Sequence, residues 1–273
     1  MAISETEGQR LGAIARRVRR TVIELASRKM VHIGAALSVA DILVALYFSR
    51  LRVRIGDPDW PERDRVILSK GHAALALYAV LGELAMIPRE AFDRFGEPGD
   101  ILTGHPTDSI PGVEVATGSL GHGLSVGAGL ALAAALDRTP QRIVVILGDG
   151  ELGEGSVWEA AAFAAHRRLA RLTAIIDRNG LQQEGPTARV LDLEPIADKW
   201  RSFGWRVIAA DGHDFTELDA ALEEALDPEA SQPAVIIART TKGKGVSFME
   251  NDPNWHMAWL RGAMWAKAAR ELQ

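Results

Sequence analysis

Residues 143–155 read IVVILGDGELGEG, and residues 172–180 read LTAIIDRNG. Each begins as a continuous apolar run of strand length and ends in small polar residues, the pattern of a strand buried on both faces. The alternation continues on either side. Strand 142–147 leads to a helix near 155–170, and strand 172–177 to a helix near 194–203. Strand 206–210 leads to a helix near 215–226 and then to strand 234–239. Apolar strands separated by amphipathic helices predict an α/β fold, a parallel β-sheet with helices on both faces. Such sheets bind ligands at the carboxyl ends of their strands, where Asp149 and Asn179 fall.

Upstream, Leu11, Ile14, Ala15, Val18, Val22 and Leu25 recur at spacings of three and four, which predicts a helix over 9–29. Its other face carries Arg10, Arg17 and Arg20, a solvated surface or a partner-binding one. A second helix is expected over 38–47, a loop over 51–61, a strand at 65–68, a turn at Gly71, a helix over 72–83 and a short one from Pro88. Residues 96–120 are turn-rich and hold three prolines; irregular segments this long usually serve function. The helix expected over 122–136 is nearly all Gly, Ala and Leu, which predicts burial all round. An aromatic helix at about 255–272 carries Trp255, Trp259 and Trp265, for packing on the domain or on a partner.

At 273 residues, 47% apolar and 25% charged, the chain is expected to form a single domain over 1–273. A net charge of −5 argues against a nucleic-acid surface. No run of eighteen purely apolar residues predicts a membrane span, the polar N-terminal text shows no secretory signal, and cysteine is absent. Together these suit a cytoplasmic protein.

Two oxygen ligands at Asp149 and Asn179 are too few for a magnesium ion, which wants six and is usually completed by phosphate oxygens and water. The pair therefore points to a divalent cation shared with a phosphate or diphosphate, although a GDG turn needs no metal. No G-x-G-x-x-G follows a strand, and the KGKG at 242–245 lacks the frame of a nucleotide phosphate loop. His32, His72, His105, His122, His213 and His256 sit in turn-like contexts, while His166 reads as structural in mid-helix. Their spacing is not that of a zinc motif. Imidazoles converging without a metal suit a pocket that binds hydroxyls and moves protons near neutral pH.

The blocks HIGAALSVADILVALYF, RVILSKGHAALALYAVL, GVEVATGSLGHGLSVGAGLALA, GDGELGEGSVWEAA, DRNGLQ, DGHD and TTKGKGVSFMEND run over most of the chain. In them the sequence resembles the N-terminal, diphosphate-binding half of transketolase as a separate subunit. GDG, then 28 residues, then Asn is the fingerprint of thiamine diphosphate enzymes. The SKGH and TGSLGHG blocks are similar to the transketolase branch in particular.

The resemblance implies the thiamine diphosphate-binding fold, with thiamine diphosphate and Mg2+ (or Ca2+ or Mn2+) as cofactors. Asp149, Asn179 and the carbonyl of Leu181 would hold the metal. His72, His122, Gly118, Leu120, Gly148, Gly150, Glu151 and Asn179 would surround the cofactor. Glu154 would join a carboxylate network across subunits, and His32, His105 and His256 would face the donor sugar. Lys242 and Lys244 would order a loop over the site. The implied reaction moves a two-carbon ketol unit, by way of a thiamine diphosphate carbanion, from a ketose, phosphorylated by default, to an aldose. The activating glutamate belongs to a pyrimidine-binding domain, so a separately encoded C-terminal subunit would complete an α2β2 enzyme. The alternatives are a component of a 1-deoxyxylulose 5-phosphate synthase-like or 2-oxoacid dehydrogenase-like enzyme, or a non-catalytic scaffold. The chain departs from the family pattern at Met30–Val31, where Ser-Gly is common, and at His122, where Gln is frequent.

Overall fold

The computed structural model describes residues 3–273. Its main sheet has five strands, all parallel, in the order β1 (Arg65–Leu68), β2 (Ile143–Gly148), β3 (Leu172–Arg178), β7 (Ala234–Arg239), β6 (Arg206–Asp211). A two-residue antiparallel pair, β4 (Leu181–Gln182) with β5 (Gly185–Pro186), follows β3 directly. The β2–β3 register pairs Gly148 with Asp177, so Asp149 and Asn179 leave the sheet from adjacent strands on one edge.

The strands bury alternate residues on opposite faces. Val144 and Ile146 enter one core with helices α1 (Glu5–Arg28), α2 (Ile33–Ala45), α3 (Ala74–Glu83) and α9 (Phe215–Ala225). Ile143, Val145 and Leu147 enter the other with α5 (Gly123–Leu136), α6 (Gly155–His166) and α8 (Ile196–Ser202). The short α4 (Arg89–Asp93) and α7 (Thr187–Val190) lie in connections. Sheet class and two-sided covering are as the strand text predicts.

Several boundaries differ from expectation. α1 starts early because Ser4 caps it, accepting the Glu7 amide at 3.2 Å. α2 begins at Ile33, every residue of it buried, and runs on as a π-helical turn over Leu46–Arg50. The segment Ile33–Arg50 is long and apolar enough to cross a membrane, yet 83% of it is buried inside the fold, as expected of a core helix. α5 is not buried all round: Val126 and Leu136 are exposed, while Leu124, Ala128 and Ala131 face the sheet. The C-terminal helix, α10 (Gly262–Glu271), starts late because Ala258 is held extended by Val31, its amide donating at 2.9 Å and its carbonyl accepting at 3.0 Å. Of the three tryptophans, Trp255 packs edge-to-face with Phe248 against the core, and Trp259 and Trp265 are exposed. The α1 arginines are engaged at the surface, Arg10 by Glu7 and Arg17 by Glu83.

Candidate active site

A cavity of about 410 Å³ opens at the carboxyl end of the sheet. Its floor comes from the β2 and β3 exits. Asp149 accepts the Gly150 amide at 2.9 Å through Oδ1 and the Gly180 amide at 2.6 Å through Oδ2, tying the two exits together. Asn179 Oδ1 accepts the Leu181 amide at 3.1 Å. Burial first, then the neighbouring Asp177 carboxylate, pushes the Asp149 carboxyl up to about 6. A buried carboxylate beside another favours a cation.

Among the described residues, no group of three or more His, Cys, Asp or Glu side chains stands ready to hold a metal. At the two strand exits the cavity lining offers three hard oxygen donors, the Asp149 carboxylate, the Asn179 amide and the Leu181 carbonyl, with Glu151, Glu154 and Glu184 elsewhere around it. That set suits a magnesium ion finished by phosphate oxygens and does not suit an all-protein cage.

Two lysines flank this floor. Lys70, from the SKGH turn after β1, is buried and its ammonium pairs with the fully buried Asp177. Ser38 donates to the same carboxylate at 2.6 Å, and Thr240 also donates to it. Lys242 is buried too. Its Nζ lies 3.0 Å from His256 Nδ1 and 3.4–3.5 Å from the carbonyls of Gln182 and Leu181. Burial first, then the charge of Lys70, brings its ammonium down to about 8. With Lys70 neutralised by Asp177, Lys242 is the cation set beside the carbonyls of the floor, where it could meet an anion.

Glu151 braces the walls. Its carboxylate accepts from Ser69 Oγ and from the amides of Gly121 (2.9 Å) and Gly148 (3.1 Å), joining three loops. Burial raises its pKa. Glu154, by contrast, is exposed where it lines the cavity, a position from which a partner can reach it.

Four imidazoles form the opposite wall. His32 lies 5.4 Å from His72, 5.6 Å from His105 and 5.2 Å from His256, and His72 lies 5.4 Å from His256, centroid to centroid. At the Met30–Val31 departure, the Val31 backbone pairs with that of Ala258, which brings the His32 and His256 segments together. Gly118, at φ 154°, comes so close to His105 that a Cβ would lie 3.1 Å from its ring. Burial lowers the pKa of His32, brings His72 down to about 2 and brings His256 to about 4; nearby lysines and sister rings add to each. These three rings are neutral near pH 7, able to donate and accept.

The cavity thus gathers His32, His72, His105, His256, Gly118, Leu120, Gly148, Asp149, Gly150, Glu151, Glu154, Asn179 and Leu181. It does not include His122, which is exposed at the start of α5 with Nδ1 3.1 Å from the Leu120 carbonyl. His213 also lies off the cavity, and His166 ends α6. Sequence reasoning gives no role to Lys70, Gln182, Gln183 or Glu184, which line it. Lys70 carries a signal, a lysine directly before a glycine turn at a strand exit.

Residues 13–272 match the family described as transketolase, thiamine diphosphate binding domain, and the chain belongs to that family. It is 44% identical over 255 residues to an apulose-4-phosphate transketolase subunit of Phocaeicola vulgatus, covering 93% of this chain and 90% of that one. It is 42% identical over 254 residues to the 6-deoxy-6-sulfo-D-fructose transketolase subunit SqwG of a Clostridium species, covering 93% and 92%. The transketolase structure from Campylobacter jejuni superposes with a TM-score of 0.87 at 31% identity, over 99% of this chain and 43% of that one. The chain therefore spans less than half the length of the transketolase it superposes on.

Proposed function

We propose that this chain is the diphosphate- and Mg2+-binding subunit of a two-component transketolase. It would transfer a two-carbon ketol unit from a ketose to an aldose once joined by a separate pyrimidine-binding subunit. One observation carries the reading: the cation floor and the four-histidine wall share a single cavity of about 410 Å³. Asp149, Asn179 and the Leu181 carbonyl are the residues to hold the ion. Lys242 and the amides after Asp149 face the diphosphate, aided by the first turn of α6. Thiamine diphosphate, when bound, supplies the electron sink for carbon–carbon cleavage.

The chain's own part is to orient and to move protons. His32, His105 and His256 hold the hydroxyls of the donor sugar, and a neutral ring among them takes the proton from the hydroxyl beside the breaking bond. Glu154, exposed at the cavity, is the group to meet the partner's carboxylate. Both relatives above are named as one subunit of a transketolase, which supports a separately encoded partner; an α2β2 assembly is the stoichiometry we propose for the pair. Their names specify different sugars, so the donor, phosphorylated or otherwise modified, is left to experiment. A cytoplasmic setting and one functional domain over 1–273 complete the reading, in keeping with the burial of Ile33–Arg50.

The test mixes purified chain and partner with thiamine diphosphate, Mg2+ and a panel of ketose donors, and identifies the aldehydes released. Aldehyde release that needs both chains is expected. Carbon dioxide from pyruvate in its place would transfer the chain to the synthase or dehydrogenase class.

A further inference from the structure

His213 is a histidine that the cavity leaves out, yet its ring is largely buried, 13% exposed, in the turn between β6 and α9. Its Nδ1 lies 2.7 Å from Asp41 Oδ2, and its Nε2 accepts the amide of Thr241 at 2.8 Å. An amide can only donate, so Nε2 is the unprotonated nitrogen and the ring proton sits on Nδ1, directed at Asp41. Asp41 is itself fixed by Arg19, through two bonds of 2.8 and 2.6 Å. The chain Arg19–Asp41–His213 thus sets both the tautomer and the orientation of one imidazole, as a carboxylate does behind a metal-bound histidine.

The atom that imidazole holds is one residue from the cavity. Thr241 precedes Lys242, whose side chain crosses Gly34 so closely that a Cβ there would lie 3.1 Å from its Cγ. Past the lysine, the Gly243 amide donates to the Gly34 carbonyl at 3.0 Å. Lys242 is therefore pinned on both sides, by His213 before it and by α2 after it. Its Nζ then falls beside the Leu181 carbonyl, at the cation end of the cavity. Few side chains other than imidazole can accept from an amide at one end and donate to a carboxylate at the other while staying rigid between them.

We propose that His213 is a positioning residue, held by Asp41, that sets the backbone at Thr241 and so places the Lys242 ammonium for the diphosphate. This rests on the diphosphate reading of the cavity. Neither His213 nor Asp41 touches the ligand.

The experiment measures inorganic pyrophosphate with Mg2+ binding to the full chain by calorimetry, alongside thermal melting. His213→Leu should weaken binding about tenfold, in line with one well-placed hydrogen bond to a charged ligand. His213→Gln, which keeps a donor and an acceptor, should restore affinity to within about threefold. The decisive comparison is a double-mutant cycle: in a Lys242→Met background, His213→Leu should cost no further affinity. Unchanged binding in His213→Leu, or a loss that adds fully to that of Lys242→Met, would overturn the proposal. Failure of the unsubstituted chain to bind pyrophosphate would instead remove the diphosphate reading beneath it. If His213→Leu does not fold, long-range 15N–1H spectra of the unsubstituted chain decide. A protonated Nδ1 with a slowly exchanging Thr241 amide supports the assignment, and a protonated Nε2 refutes it.

Discussion

Asp149 Oδ2 accepts the Gly180 amide at 2.6 Å, a bond that crosses from the exit of one strand to the exit of its neighbour. On the proposed function the same carboxylate would be the strongest oxygen ligand on the cavity floor. Replacing it with alanine removes the proposed cation ligand and the hydrogen bonds at the two exits, and leaves the β2–β3 ladder untouched. Asp149→Ala should weaken Mg2+-dependent thiamine diphosphate binding by at least about a hundredfold. Circular dichroism of the cofactor-free chain should be unchanged. Fluorescence titration with and without Mg2+ checks this, and equal affinity would remove Asp149 from the metal site.

The neutral histidines make the stability of the fold depend on pH. His256 and His72 have ordinary values near 6.5 that fall to about 4 and about 2 in the fold. Below pH 6.5 the unfolded chain takes up these protons and the folded chain does not, so stability drops as pH falls from 6.5 toward 4. Asp149 works against this, since its raised value lets the folded chain gain a proton near pH 6. The readout is therefore a difference. His256→Asn, which cannot be protonated, should lose less melting temperature than the unsubstituted chain between pH 6.5 and 4. Parallel melting curves would contradict the buried neutral ring.

His105 stands on the long loop, 5.6 Å from His32, and among the described residues its ring makes no hydrogen bond to the Asp149 exit. With the partner present, His105→Ala should lower turnover by about a hundredfold or more while changing cofactor affinity little. An equal loss in both would assign it to the cofactor.

Asp177 and Lys70 form an ion pair in which both side chains are almost wholly buried. Removing the carboxylate strands an ammonium in the core and frees Ser38 and Thr240 as well. Asp177→Ala should cost about 3–5 kcal/mol in urea denaturation. A loss below about 1 kcal/mol would show that water or another group already compensates Lys70.

Much of this arrangement is legible in the sequence, for reasons that differ by residue. The strands at 143–148 and 172–178 declare themselves because burial on both faces leaves almost no polar residue until the exit, and the floor ligands stand just past it. His32, His72, His105 and His256 are visible as types in turns, but their meeting depends on the Val31–Ala258 bridge, a contact between distant segments that no local pattern encodes. Lys70 and Lys242 look like surface lysines by residue type; their buried partners, Asp177 for Lys70 and the Leu181 and Gln182 carbonyls for Lys242, lie far off in sequence. The exposed side of α5 escapes a reading of the sequence because a helix of Gly, Ala and Leu has no polar stripe to mark which face meets solvent. His122 shares its glycine-rich context with the wall histidines, yet the helix it precedes turns its ring outward.

The uncharged wall has one more consequence. A ring that can either give or receive a proton accommodates a hydroxyl in either orientation, so on the proposed function His32 and His256 would impose little stereochemical preference on a polyol. Discrimination among sugars of different shape or substituent then falls to whatever closes the open side of the chamber. On this view a single such half is general-purpose, and its choice of guest is an inherited property of the mate it keeps.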